Sequence, residues 1–227
     1  LSDPISDIIE SIREHIIAYK GSPDRFFEAR YSQSRGLRIL RQHPWECLVS
    51  FICSANSNVS TIGKRINLIL GRYGTSCTIF ENTFPDPAVL SQCQEPELRE
   101  CLTGYRAPYL IKTAQYIHEH PDFFQQVRKM EYHQAKDTLM NLPGVGPKVA
   151  DCVLLFAFEH LNAVPVDIRI RKIIEDKYAS LIHTDKSGKL PYVTIGGFCR
   201  EYFGPYAGYA QQYLFATRDL EKGEVTR

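Results

Sequence analysis

The residues best suited to chemistry lie in Leu142-Pro143-Gly144-Val145-Gly146-Pro147-Lys148-Val149-Ala150-Asp151, where one helical pattern ends, a Gly-x-Gly turn follows and another helix begins. Glycines at 144 and 146 permit positive φ and close backbone approach, and Pro147 presets the first turn of the next helix. Backbone amides at that helix start would face an anion such as a DNA phosphate. Taken alone, a Gly-x-Gly reads first as a plain helix–helix corner. Lys148 follows in the first turn, where the helix dipole disfavours a cation; alone it reads as a solvated surface lysine. Further on, the apolar stretch Ala163-Val164-Pro165-Val166 delivers Asp167 to another helix start, where by itself it reads as an N-cap. If the fold brings the two starts together, a nucleophilic amine and a carboxylate meet at one DNA backbone, and glycosidic-bond chemistry becomes available.

The rest of the chain must supply the scaffold. It has 227 residues, 44% apolar and 23% charged, enough for one or two globular domains with a packed core. No window approaches eighteen uninterrupted apolar residues, so no membrane span is expected. Lys and Arg total 27 against 26 Asp and Glu, a formal charge of +1, so any polyanion site must be local. The seven cysteines, at 47, 53, 77, 93, 101, 152 and 199, contain no CxxC pair and mostly sit beside apolar residues. This fits a reducing, intracellular setting, the nucleus in a eukaryote or the cytoplasm in a prokaryote.

Ile5, Ile8, Ile9, Ile12, Ile16 and Ile17 recur at helical spacing after Asp3 as N-cap and Pro4, and Gly21-Ser22-Pro23 ends the pattern. Further helices are expected over 44–54, 59–73, 96–102, 108–118, 132–141, 147–158, 167–178, 191–203 and 206–220, with breaks at 74–76, 84–87, 120–122 and 185–188. The run over 96–102 is short, and Gly196-Gly197 falls inside the one ending at Phe203. There is no convincing alternating strand, so the class is all-α, in two lobes. The division expected is a helical segment over 1–43, a catalytic lobe of 44–56 with 137–227, and a second lobe over 57–136.

At this level of detail the chain resembles the helix-hairpin-helix (HhH-GPD) DNA glycosylases, and within them the 8-oxoguanine glycosylases that also cleave abasic sites. The resemblance rests on Gly36-Leu37-Arg38-Ile39-Leu40-Arg41-Gln42, Trp45-Glu46-Cys47-Leu48, Ser50-Phe51-Ile52-Cys53-Ser54-Ala55-Asn56, Gly104-Tyr105-Arg106-Ala107, the hairpin, the 164–167 connection, and Phe203-Gly204-Pro205-Tyr206-Ala207-Gly208-Tyr209-Ala210-Gln211 with Leu214-Phe215. It implies that Lys148 attacks the sugar and later holds it as a Schiff base for β-elimination, so its surroundings should favour the uncharged amine, and that Asp167 stabilises the cationic sugar. It implies that Phe215 stacks on the flipped purine, that Gln211 reads its Watson–Crick edge and that Cys152 walls the pocket opposite Phe215; without the family, Phe215 and Cys152 read as core. Asn56 and Arg106 would contact the orphaned cytosine and Tyr105 would wedge the stack, with Tyr105 otherwise a helix-terminal aromatic. Gly144, Gly146, Val149 and Arg169 would contact the DNA backbone.

Two positions depart from the family pattern. Thr61 stands where many relatives have an arginine that recognises cytosine, so a strict cytosine preference is not implied. Arg169 stands where a histidine is frequent. The resemblance also implies a monomer acting on double-stranded DNA containing 8-oxoguanine, no required cofactor and a monovalent cation at the hairpin; full-length relatives commonly carry an upstream β-containing domain that this chain begins too late to include, the alternative being a naturally shorter relative. Iron–sulfur relatives need four closely spaced cysteines near the C-terminus, and only Cys199 lies beyond Cys152. Alkylated-base glycosylases generally lack the lysine. A non-catalytic DNA-binding module, the other class of reading, would have no reason to keep Lys148, Asp167, Gln211 and Phe215 together.

Overall fold

A computed structural model describes residues 4–76, 82–182 and 190–216. Thirteen α-helices follow one another among these residues: α1 (Pro4–Lys20), α2 (Arg25–Gln33), α3 (Pro44–Ser54), α4 (Val59–Tyr73), α5 (Pro87–Ser91), α6 (Glu95–Leu98), α7 (Ala107–Glu119), α8 (Phe123–Arg128), α9 (Tyr132–Met140), α10 (Pro147–Ala157), α11 (Ile168–Tyr178), α12 (Tyr192–Phe203) and α13 (Ala207–Ala216). Strand-like pairing among the described residues is limited to an isolated bridge between Ser76 and Asn82. The all-α expectation holds, and no described helix is long and apolar enough to cross a membrane. Asp3, the 185–188 break and the end of the 206–220 pattern lie outside the described residues.

Three short helices, α2, α5 and α8, were not expected from periodicity. The side chains of Asp24 and Asp86 cap α2 and α5, and such short helices offer too few turns for an apolar stripe to register. The run expected over 96–102 is instead the single turn of α6 and then a wide turn over Arg99–Thr103, because Leu102 takes φ +61° and leaves the helix. Conversely, α12 runs straight through Gly196-Gly197.

The chain divides into two compact units, residues 41–158 and residues 1–40 with 159–227. This differs from the division expected from sequence, in which 44–56 and the hairpin belonged with the C-terminal third. The reason lies in the ties of α3. Phe51 of α3 stacks on Phe156 of α10 at 5.6 Å and 9°, and Trp45 Nε1 donates to the Pro85 carbonyl at 2.8 Å. Buried Arg65 of α4 donates to the carbonyls of Cys53 and Leu102, and Thr113 of α7 donates to that of Pro143 at 2.9 Å. Helix α3, the hairpin and the middle of the chain are therefore one body.

Within this unit a buried ionic group fixes the hairpin. Asp151 of α10 has no exposed surface, accepting from Tyr132 Oη at 2.7 Å and Lys136 Nζ at 2.7 Å, both on α9. The two helices that flank the Gly-x-Gly turn are thus bolted together one turn beyond Lys148.

The other unit packs Ile5, Ile9, Ile12 and Ile16 of α1 against Ile170 and Ile174 of α11 and the aromatic rings of α12 and α13. Asp24 is buried here and fully employed. One oxygen caps α2 through the Phe26 and Phe27 amides at 2.9 and 3.1 Å, and the other accepts from Tyr178 at 2.8 Å and Tyr202 at 3.1 Å. Four donors around one carboxylate explain why it tolerates burial. Because Tyr178 is the last residue of α11, the network also fixes the helix that begins after Asp167.

Candidate active site

The candidate residues fall on both units, eight in 41–158 and four in the other. In the first, the hairpin turn brings Gly146 to the N-cap of α10 with no side-chain cap, and Pro147 occupies the first helical position. The amides of Lys148 and Val149 are the first donors of an uncapped helix, the arrangement that holds a phosphate oxygen. Gly144 takes φ +79°, and a Cβ there would lie 2.8 Å from that of Tyr109. Gly146 has φ −94° and open space where a side chain would project, so of the two glycines only Gly144 is required by conformation. Gly144→Ala is therefore expected to cost about 1–3 kcal/mol in a urea unfolding midpoint. DNA affinity should fall with it, because the hairpin backbone must shift off Tyr109.

Lys148 is half-buried, with Nζ 3.2 Å from Ser54 Oγ and 4.9 Å from the centroid of the Phe51 ring. Among the described residues of its unit it pairs with no carboxylate. Four residues on, Cys152 is 2% exposed. Neighbouring Cys47 is pushed far above the ordinary thiol range by burial and by Cys152, with the Lys148 charge opposing. Burial also pushes Cys53 up to about 12, against Arg65 and Arg106. Protonated, buried thiols are poor nucleophiles.

Asn56, Tyr105 and Arg106 are brought together. Asn56 sits at φ +48°, a left-handed position that asparagine tolerates, and its Nδ2 donates to Tyr105 Oη at 3.1 Å. Arg106 stacks its guanidinium 4.3 Å from the centroid of the Tyr105 ring and donates to the carbonyls of Ala55, Asn56 and Thr103. Tyr105 is 48% exposed and Arg106 only 6%. The tyrosine is thus the group presented outward, and the arginine braces the turn carrying Asn56. Thr61 lies in the first turn of α4, its amide capped by Asn58 at 2.9 Å.

In the second unit, Asp167 caps α11 through Oδ1 and the Ile170 amide at 2.7 Å, as its sequence position suggests. Arg169 of the same helix and Phe215 of α13 are brought together, guanidinium 5.3 Å from ring centroid. Gln211 is 4% exposed, and its Oε1 accepts from Gln212 Nε2 at 2.7 Å. Among the described residues no cluster of His, Cys, Asp or Glu has the makings of a metal site.

Several contributors were not singled out from sequence. Ser54 and Phe51 belong to a quoted motif but were assigned no task, and Tyr109, Thr113 and the Asp151 network were not noticed. Apolar or hydroxyl residues on helix faces carry no signal of which side chain they will meet.

A helical hairpin with an uncapped, glycine-led helix start and an amine one residue inside it is built to hold an anion such as a backbone phosphate. Residues 49–189 match the model of the HhH-GPD superfamily of base excision DNA repair proteins, and the chain belongs to that superfamily. It is 37% identical over 189 residues to the N-glycosylase/DNA lyase OGG1 of Arabidopsis thaliana, covering 80% of this chain and 52% of that protein. It is 34% identical over 213 residues to the N-glycosylase/DNA lyase of Saccharomyces cerevisiae, covering 80% and 57%. The chain therefore spans a little over half the length of these two relatives. Among solved structures, it is similar to the apo form of the Clostridium acetobutylicum 8-oxoguanine glycosylase/lyase, with a TM-score of 0.80, 32% identity, and 94% of this chain and 70% of that one covered.

Proposed function

We propose that the chain is a bifunctional DNA glycosylase and abasic-site lyase that excises 8-oxoguanine from double-stranded DNA. The observation that carries this reading is Lys148, an amine held by a neutral hydroxyl one residue inside an uncapped helix N-terminus. The likeness to N-glycosylase/DNA lyases and to an 8-oxoguanine glycosylase/lyase supports the substrate.

In this mechanism the amides of Lys148 and Val149, with Gly144 and Gly146 clearing the approach, hold a DNA phosphate beside the lesion. Tyr105 wedges the stack, and Asn56, braced by Arg106, faces the orphaned base. Phe215 stacks on the flipped base and Gln211 reads its edge, and Arg169 takes a backbone phosphate. Lys148 Nζ forms a bond to the sugar carbon as the glycosidic bond breaks, and the base leaves with the electron pair and then takes a proton. Asp167 stabilises the positive charge that develops on the sugar. The sugar ring opens to give an imine on Lys148. Loss of a proton from the adjacent carbon then expels the 3′ phosphate and cleaves the strand.

No cofactor enters these steps. A monovalent cation held by the backbone of the hairpin is part of the proposal. The protein acts as a monomer, in an intracellular, reducing setting that suits its six free cysteines among the described residues.

Borohydride trapping tests the reading. Duplexes carrying one 8-oxoguanine opposite each of the four bases, or one abasic site, are mixed with the protein or with Lys148→Gln. The expected result is a covalent adduct with both kinds of duplex, lost in Lys148→Gln, and the four opposite bases rank the preference at the position where Thr61 stands. An adduct with the abasic duplex alone would mean a lyase acting on another lesion. The absence of any lysine-dependent adduct would leave a binding module.

A further inference from the structure

The last turn of α3 surrounds the proposed nucleophile in a way the family motifs do not assign. Ser54 donates its hydroxyl proton to the Phe51 carbonyl at 2.7 Å. With that proton committed, the oxygen 3.2 Å from Lys148 Nζ can only accept. Phe51 presents its ring to the same nitrogen at 4.9 Å, and the ring is held by its stack on Phe156, at an interplanar angle of 9°. Two side chains one helical turn apart thus fix the amine from two directions.

We propose that Ser54 and Phe51 are positioning residues for the Lys148 nucleophile. The inference rests on the reading of Lys148 given above. An amine that donates one N–H to Ser54 keeps its lone pair free and turned away from α3, toward an incoming sugar carbon. A hydroxyl suits this task because it carries no charge; a carboxylate in its place would hold the ammonium form. Phe51 fills the space under the side chain and limits the rotamers that a four-carbon stem would otherwise sample. The arrangement also gives the sequence Phe51-Ile52-Cys53-Ser54 a division of labour: 51 and 54 face the lysine, while Ile52 and Cys53 are 1% and 0% exposed in the core.

The test uses an abasic duplex, so that its outcome does not depend on which base is excised. Ser54→Ala, Ser54→Thr and Phe51→Leu are compared with the unaltered protein in single-turnover trapping at saturating DNA, with DNA Kd and urea midpoint measured separately. Ser54→Ala is expected to slow trapping by about tenfold with Kd and midpoint little changed, the loss of one hydrogen bond to the reacting nitrogen. Ser54→Thr, which keeps the hydroxyl, should recover most of that rate, and Phe51→Leu should slow trapping without abolishing it. An Ser54→Ala rate equal to that of the unaltered protein, or a fall in rate matched by a fall in DNA affinity, would overturn the positioning role alone. Failure of the unaltered protein to form a lysine-dependent adduct would overturn this inference together with the reading beneath it.

Discussion

Asp167→Asn should leave the fold intact and remove most of the base-excision activity. Asparagine caps helices about as well as aspartate, so the bond from the Ile170 amide survives and stability should move by less than about 0.5 kcal/mol. The charge does not survive. If the carboxylate stabilises a developing cation on the sugar, its neutralisation should slow single-turnover release of 8-oxoguanine by about a hundred- to a thousandfold, the scale of one electrostatic group in a preorganised site. DNA affinity should change little. The contrast with Asp167→Ala separates the two duties of this residue, since alanine loses cap and charge together. An asparagine variant with an undiminished rate would reduce Asp167 to a cap and remove it from the chemistry.

Asp151→Ala should produce the largest loss of stability of any single substitution near the hairpin. The carboxylate is almost wholly buried, and the ammonium of Lys136 beside it, 2.7 Å away, has a side chain 15% exposed. Removing one partner of such a pair leaves a poorly hydrated charge, with a cost of about 3–5 kcal/mol. Urea unfolding would report this as a lower midpoint. Replacing both partners, Lys136→Met with Asp151→Leu, should return much of the loss, because apolar side chains of similar size carry no desolvation penalty. A single variant within about 1 kcal/mol of the parent would mean that the pair is not what holds α9 to α10. The expected phenotype differs from that of Lys148→Gln, which should lose the covalent adduct while folding normally.

Much of the scaffold was legible because its signals are local. Pro44 opens α3, Pro147 opens α10 and Asp167 caps α11, each by rules that involve only the next three or four residues. Elements failed to register where they were too short for periodicity, as in α8, or where a backbone reversal at Leu102 ended a helix without a glycine or proline at that position. The candidate site was legible in a different way. Lys148 and Asp167 are marked by their places at two helix starts and their neighbours are not, because the bond from Lys148 to Ser54 joins residues 94 positions apart. No local rule reaches that far. The ties of Phe51, Trp45, Arg65 and Thr113 that bind 41–158 into one body are tertiary for the same reason.

That division has a consequence for how the chain is made. Residues 41–158 are contiguous, so this unit has all its parts once the ribosome has released α10. The other unit is split around it, and Asp24 is synthesised 154 residues before Tyr178 and 178 before Tyr202. Until those two hydroxyls emerge, the Asp24 oxygen they will bind lacks them, and the isoleucine face of α1 has no α11 or α12 to cover it. The early helices must therefore wait in an open state while the hairpin unit condenses. Residues 4–40 are thus synthesised before the hairpin unit and sealed only after it.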